Sequence, residues 1–197
     1  SFINNTLPPL CSMVSKAKFQ IVVILDASKP CGVLGKNLKQ SELSEIIDIL
    51  TSIKKENSFE LEVFTPKRNE VRQLSRIHLG KSYRETHCFR GYPVHGSFRQ
   101  FHNHDSDYIL HLDADMLFHE AEGFSWIESG IELMEKNTDI ACVLPKGGPP
   151  TCDGTIHQEN TEYQIDKKRE VYLFKNFTSR HYLVHRKRVL ELLPMKP

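Results

Sequence analysis

Tyr108 to Phe118 reads YILHLDADMLF, a short apolar run that ends in two aspartates one residue apart. In an extended segment side chains i and i+2 share a face, so Asp113 and Asp115 present two carboxylates side by side. Two such charges repel unless a cation sits between them. Hard oxygen ligands suit Mg²⁺ or Mn²⁺, and Mg²⁺ is commonly held by one or two carboxylates, with substrate phosphate oxygens and waters completing its shell. The stretch therefore points to a metal-bound phosphorylated substrate at the end of a buried strand. Met116, Leu117 and Phe118 resume apolar residues, where an exposed strand-ending turn more often continues with polar residues or glycine.

Upstream of this strand the chain alternates strand and helix patterns. Residues 1–17, with Pro8-Pro9 and little periodicity, read as an irregular N-terminal arm, and 18–197 as a single domain. Phe19 to Leu25 (FQIVVIL) is a continuous apolar run of the kind buried on both faces of a parallel sheet, and Asp26 stands at its carboxyl end. Leu43, Ile46, Ile47, Leu50 and Ile53 then recur at helical spacing behind a cap at Ser41. Phe59 to Thr65 is a second strand, Glu70 to Ile77 a helix, and Ser97 to His104 a short helix feeding the Tyr108 strand. Downstream, the spacing predicts a helix over Ser125 to Lys136, a strand at Ile140 to Leu144, and late strands at Val171 to Phe174 and His181 to Val184. Lys187 to Leu193 closes the pattern as a helix, and 145–169 is the longest segment without a clear period, a length often functional in compact domains. Such alternation implies a mostly parallel sheet with helices on both faces, which binds ligands outside the carboxyl ends of its strands. Asp26, Thr65 and Asp113 would all lie there.

The 197 residues suffice for one α/β domain with a real core. Lysine and arginine (26) exceed aspartate and glutamate (25) by one, so no global field favours nucleic acid, and any basic site must be local. The five cysteines lack CxxC spacing, which argues against a zinc ribbon or a disulfide framework and for a reducing, cytoplasmic setting. Membrane association stays open, as does the secretory-pathway lumen, which the sequons Asn4-Asn5-Thr6 and Asn176-Phe177-Thr178 would suit. No stretch approaches the roughly 18 consecutive apolar residues of a spanning helix.

A short apolar strand followed by Asp-x-Asp, lying after two or three βα units, resembles the nucleotide-sugar glycosyltransferases of the GT-A fold. The resemblance runs from Phe19 to Leu193, and its specific part, Tyr108 to Met116, looks like the strand and DxD motif of family 2 and related enzymes. It implies a GT-A-like three-layer α/β/α sandwich with a mostly parallel central sheet. It also implies Mn²⁺ or Mg²⁺ bound by Asp115, with Asp113 on the metal or the donor ribose. The donor would be a UDP- or GDP-sugar and the acceptor a glycan, lipid or protein hydroxyl. By position, the loop Asp26 to Pro30, with Asp26 and Ala27, would face the nucleotide. The chain departs from family 2 in having Asp26-Ala27-Ser28-Lys29-Pro30 where a Pro-x-Tyr-Asn type of sequence is common. It departs again in having Phe98-Arg99-Gln100 where Ala-Arg-Asn is often found. Arg99 and Lys67 are candidate phosphate ligands by charge and position. His181 matches the late strand on which such enzymes place a further metal ligand. An inverting transfer needs a base for the acceptor hydroxyl, for which Asp153, close after Gly147-Gly148-Pro149-Pro150, is the candidate.

Two other readings use the same motif. A haloacid-dehalogenase-type phosphatase takes the first aspartate as nucleophile, but its motif sits near the start of the domain and carries threonine or valine where Leu117 stands. A nucleotide-sugar-binding protein without transfer activity would share the DxD. His102-Asn103-His104-Asp105 with Asp107 has hydrolase-like composition, but His102 and His104 point apart on a helix.

Overall fold

The computed structural model describes residues 2–29, 31, 33, 43–145, 162–175 and 177–195. The elements run α1 (Ile3–Lys16), β1 (Val22–Asp26), α2 (Leu43–Glu56), β2 (Glu60–Phe64), α3 (Arg68–Leu79), α4 (His95–Asn103) and β3 (Tyr108–Leu112). They continue with α5 (Trp126–Lys136), β4 (Cys142–Val143), β5 (Tyr163–Asp166), β6 (Val171–Phe174), β7 (His181–His185) and α6 (Arg186–Glu191). The chain is mixed α/β, but its sheets are small. β1 and β2 pair in parallel, β5 and β6 form an antiparallel pair, and β7 lies between β3 and β4, antiparallel to both.

The expectation of a mostly parallel sheet is thereby corrected. β7 is central in its sheet and covered on both faces, and Tyr182, Leu183 and Val184 are all buried. A central antiparallel strand of that kind has the same continuous apolar look as a parallel one. The pairing direction depends on a chain reversal between β4 and β7 that no local pattern reports.

Residues 3–16 are a helix, not an irregular arm. Leu7, Leu10, Cys11 and Val14 recur at i, i+3, i+4 and i+7 and are all buried, and Leu7 and Cys11 join Leu50 and Ile53 of α2 and Phe59 in one apolar cluster. Pro8 and Pro9 remove two backbone donors, but the carbonyls that would have received them belong to Asn4 and Asn5, which are exposed to water. The buried face outweighs the two lost bonds.

Alternation along β3 and β7 builds two different faces. Leu110, Leu112 and Leu183 pack with Trp126, Ile127 and Met134 of α5. Ile109, Tyr182 and Val184 pack with Phe101 of α4. On the first face the helix comes unusually close, because a Cβ at Gly130 would stand 2.7 Å from Val143 Cγ2 and 3.0 Å from Leu183 Cδ2. Ser125 caps α5, its hydroxyl accepting from Glu128 N at 3.4 Å.

Three contacts tie the parallel pair to the antiparallel sheet. Thr6 Oγ1 of α1 donates to the carbonyl of Ala114 at 2.6 Å, within the Asp-Ala-Asp turn. Arg99 of α4 pairs with Glu62 of β2, and Gly96 lies against Ile24 of β1. Among the described residues no helix is long and apolar enough to cross a membrane.

Candidate functional site

β3 ends at Leu112, and its pairing with β7 continues for one more residue through Asp113 N, which donates to the carbonyl of Arg180 at 2.8 Å. This register sets Asp113 and Arg180 opposite each other on the face that also carries His111 and Tyr182. The Arg180 guanidinium bridges both carboxylates: Nε donates to Asp113 Oδ2 at 2.9 Å and Nη2 donates to Asp115. His111 Nε2 lies 3.4 Å from Asp113 Oδ1, and its ring stacks on Tyr182 with centroids 4.8 Å apart. The two aspartates are brought together by a turn, in which Met116 N donates to the Asp113 carbonyl at 3.2 Å, and not by the extended segment expected from the sequence; the cation between them is a side chain of the protein itself.

Electrostatics follow from that arrangement. Burial pushes the Asp113 carboxyl up, but the hydrogen bonds and charges of His111 and Arg180 outweigh it and hold the group below its ordinary range. Hydrogen bonds to Asp113, then Asp115, raise Arg180 above its usual value. Both carboxylates remain partly open to solvent. Beside them Phe177 is 60 % exposed, with its ring 5.2 Å from that of Tyr182.

The donor chemistry fits a hard divalent ion that keeps waters and substrate oxygens in its shell, since two half-exposed carboxylates supply a pair of hard ligands. Among the described residues no three His, Cys, Asp or Glu side chains converge as a complete protein cage. An ion here has to compete with Arg180 for the same oxygens.

His181 is not gathered with the pair. It stands opposite Leu112, so alternation turns it to the other face of the strands, where its ring lies 6.0 Å from that of Phe118. Burial, then the charge of Arg180, lowers its pKa, and its Nδ1 is buried with no partner among the described residues. The histidine beside the carboxylates is instead His111.

Asp26 closes β1 opposite Phe64, so it lies at the carboxyl end of the parallel pair as expected. Its Oδ1 accepts from Ser28 N at 2.8 Å and from the Ser28 hydroxyl, a local turn that fixes the side chain, while Oδ2 is buried with no partner among the described residues. The Ala27 amide is taken by the carbonyl of Phe64 at 2.8 Å. Arg99 is committed to structure: it pairs with Glu62 and, at 3.3 Å, with Glu70, and lies 4.8 Å above the Phe64 ring. Lys67 precedes α3, its backbone N–H donating to Glu70 Oε2 at 3.4 Å, and its side chain is exposed. Asp153 and the Ser41 cap lie outside the described residues. His102 Nε2 meets His78 Nε2 of α3 at 2.9 Å, while His104 follows α4 in extended backbone, so the two histidines are not gathered as a shared ligand set.

Sequence reasoning missed His111, Arg180 and Phe177. His111 stands two residues before Asp113, and the period of a strand was the signal for it. Arg180 and Phe177 required the antiparallel register of β7. No family model, curated protein or solved structure matches the chain.

Proposed function

We propose that the protein is a metal-dependent glycosyltransferase that moves a sugar from a nucleoside-diphosphate sugar to an acceptor hydroxyl, in a GT-A-like domain. The observation that carries this reading is the exposed Asp113–Asp115 pair at the carboxyl end of β3, a double negative charge met by a single guanidinium. Asp115, with Asp113, would hold Mn²⁺ or Mg²⁺, and when bound the ion neutralises charge developing on the departing diphosphate. Arg180 is a cation already at the site and contributes a planar, bidentate donor to phosphate oxygens once a divalent ion takes over the carboxylates. His111 orients Asp113 from behind, and Asp26, at the carboxyl end of β1, would face the nucleotide. Phe177 offers an exposed ring beside these groups for stacking against a sugar or base.

The test is calorimetric titration of the protein with UDP and with GDP, each with and without Mn²⁺. Metal-dependent binding of one nucleotide supports the reading and identifies the base. If neither nucleotide binds in the presence of metal, the proposal fails, and turnover of small phosphate esters then decides for the phosphatase chemistry of the same motif.

A further inference from the structure

The chain as a whole carries a surplus of one positive charge, yet residues 67–92 hold seven lysines and arginines against two acids, a surplus of five. The surplus is sorted by the geometry of α3. Val71, Leu74, Ser75 and His78 form its buried side. Arg68, Arg72 and Arg76 follow at i, i+4 and i+8 along one flank, and the exposed Leu79 falls in the same row. Glu70 lies on the opposite flank, tied to Arg99. None of the three arginines has a carboxylate partner among the described residues.

The loop that follows adds to this row. Gly80 ends the helix with a positive φ of 70°, and the chain carries exposed Lys81, Tyr83 and Arg84 to a tight turn. There the N–H of Cys88 bonds to the carbonyl of Tyr92 at 2.9 Å. At its tip Phe89 is 78 % exposed, with the Arg90 guanidinium 5.5 Å from its ring, and Val33 donates from its backbone to the Phe89 carbonyl at 3.2 Å. The root of the turn is pinned to α3. His95 Nε2 contacts Ser75 Oγ at 3.1 Å and the Val71 carbonyl at 3.2 Å, while Nδ1 reaches the Thr86 carbonyl at 3.2 Å. Val71 and Ser75 border the arginine row on the helix, so the root of the aromatic turn packs beside the basic flank.

We infer that this face, the Arg68–Arg72–Arg76 flank of α3 with the Phe89 turn, docks on an anionic lipid bilayer. Charge complementarity selects the partner's sign, because unpaired cations are attracted to an acidic surface. The exposed apolar groups select a bilayer over a nucleic acid. Phe89 and Tyr92 suit the headgroup boundary, while Leu79 and Val33 are aliphatic, have no flat π-face for stacking on bases, and gain by leaving water. Bound in this way, the protein would meet an acceptor carried in or on the membrane.

The test is co-sedimentation of the whole chain with vesicles of equal parts phosphatidylglycerol and phosphatidylcholine, against vesicles of phosphatidylcholine alone. Binding to the acidic vesicles that weakens with added salt is expected. Each arginine near such a surface contributes about fivefold in affinity, so R72E/R76E is expected to bind at least about 25-fold more weakly. Phe89→Ser is expected to weaken binding several-fold in the same assay, and circular dichroism checks that each variant is folded. K54E/K55E, an equal charge change at the exposed end of α2, is expected to leave binding intact. Equal binding to both vesicle types, an equal loss with K54E/K55E, or tighter binding to a single-stranded oligonucleotide than to acidic vesicles would each overturn the inference.

Discussion

The two faces of the β3–β7 pair are made by the same ten residues and have opposite characters. Toward α5 the strands present hydrocarbon: Leu110, Leu112 and Leu183 meet Ile127 and Met134, both of which are 0 % exposed. Toward α4 the surface grows steadily more polar along β3, from Ile109 through His111 to Asp113, and the layer behind it contains the stacked pair His78 and Phe98. A strand pair can therefore anchor the fold with one face and hold an open charged site with the other. Stability should reside in the first face, and proton and ligand sensitivity in the second.

The largest effects expected lie on the α5 face. Met134→Ala or Ile127→Ala leaves a cavity in a fully packed layer and should cost about 2–5 kcal/mol by urea denaturation. Gly130→Val forces β-carbon bulk into Val143 and Leu183 and should cost about 1–3 kcal/mol or more. If these variants unfold no more easily than the native chain, the division between the faces is wrong.

Next in size is a pH effect confined to the other face. Burial, then the charges of His102 and His95, lowers His78 from 6.5 to about 4. The groups facing it are His102 through Nε2, His95, and the rings of Phe98 and Phe101. With the folded pKa depressed, the unfolded chain binds the proton first. The stabilisation from neutral His78 is therefore complete above pH 6.5 and lost as the pH falls towards 4. The loss is on the order of 3 kcal/mol. His78→Phe should flatten the stability profile over that window, and an unchanged slope would remove His78 as its source.

The smallest stability effect is expected at the carboxylates. The Asp113–Arg180 pair is partly solvated, so Arg180→Met should cost no more than about 1 kcal/mol. Asp113 is depressed in the folded state, so its contribution is present above its unfolded value near 3.8 and fades as the pH drops below it. The same variant should remove that acid-side component, which acid denaturation of both proteins can measure.

Most elements were legible because their apolar periods are local. β3 was expected from Tyr108 and runs to Leu112, and α5 was expected over Ser125 to Lys136 and runs from Trp126 behind a Ser125 cap. The α1 helix was hidden by Pro8-Pro9, whose lost donors matter less than the buried row of Leu7, Leu10, Cys11 and Val14. β5 was hidden because Tyr163 to Asp166 is half polar and gains its order from pairing with β6. Asp26 could be read from its place at the end of β1, and at the candidate site Asp113 and Asp115 from theirs after β3. Arg180 could not, because it reaches them through a strand 67 residues away from Asp113 in the chain.

The central claim is that the charged end of the β3–β7 pair is a ligand site rather than scaffold. Its most direct test is one paired measurement on Asp115→Ala: calorimetric titration with the nucleotide that the native protein binds in Mn²⁺, together with its urea midpoint. Lost binding with an unchanged midpoint is the predicted result. Native-like binding by the folded variant, or a collapse of the midpoint like that expected for Met134→Ala, would contradict it.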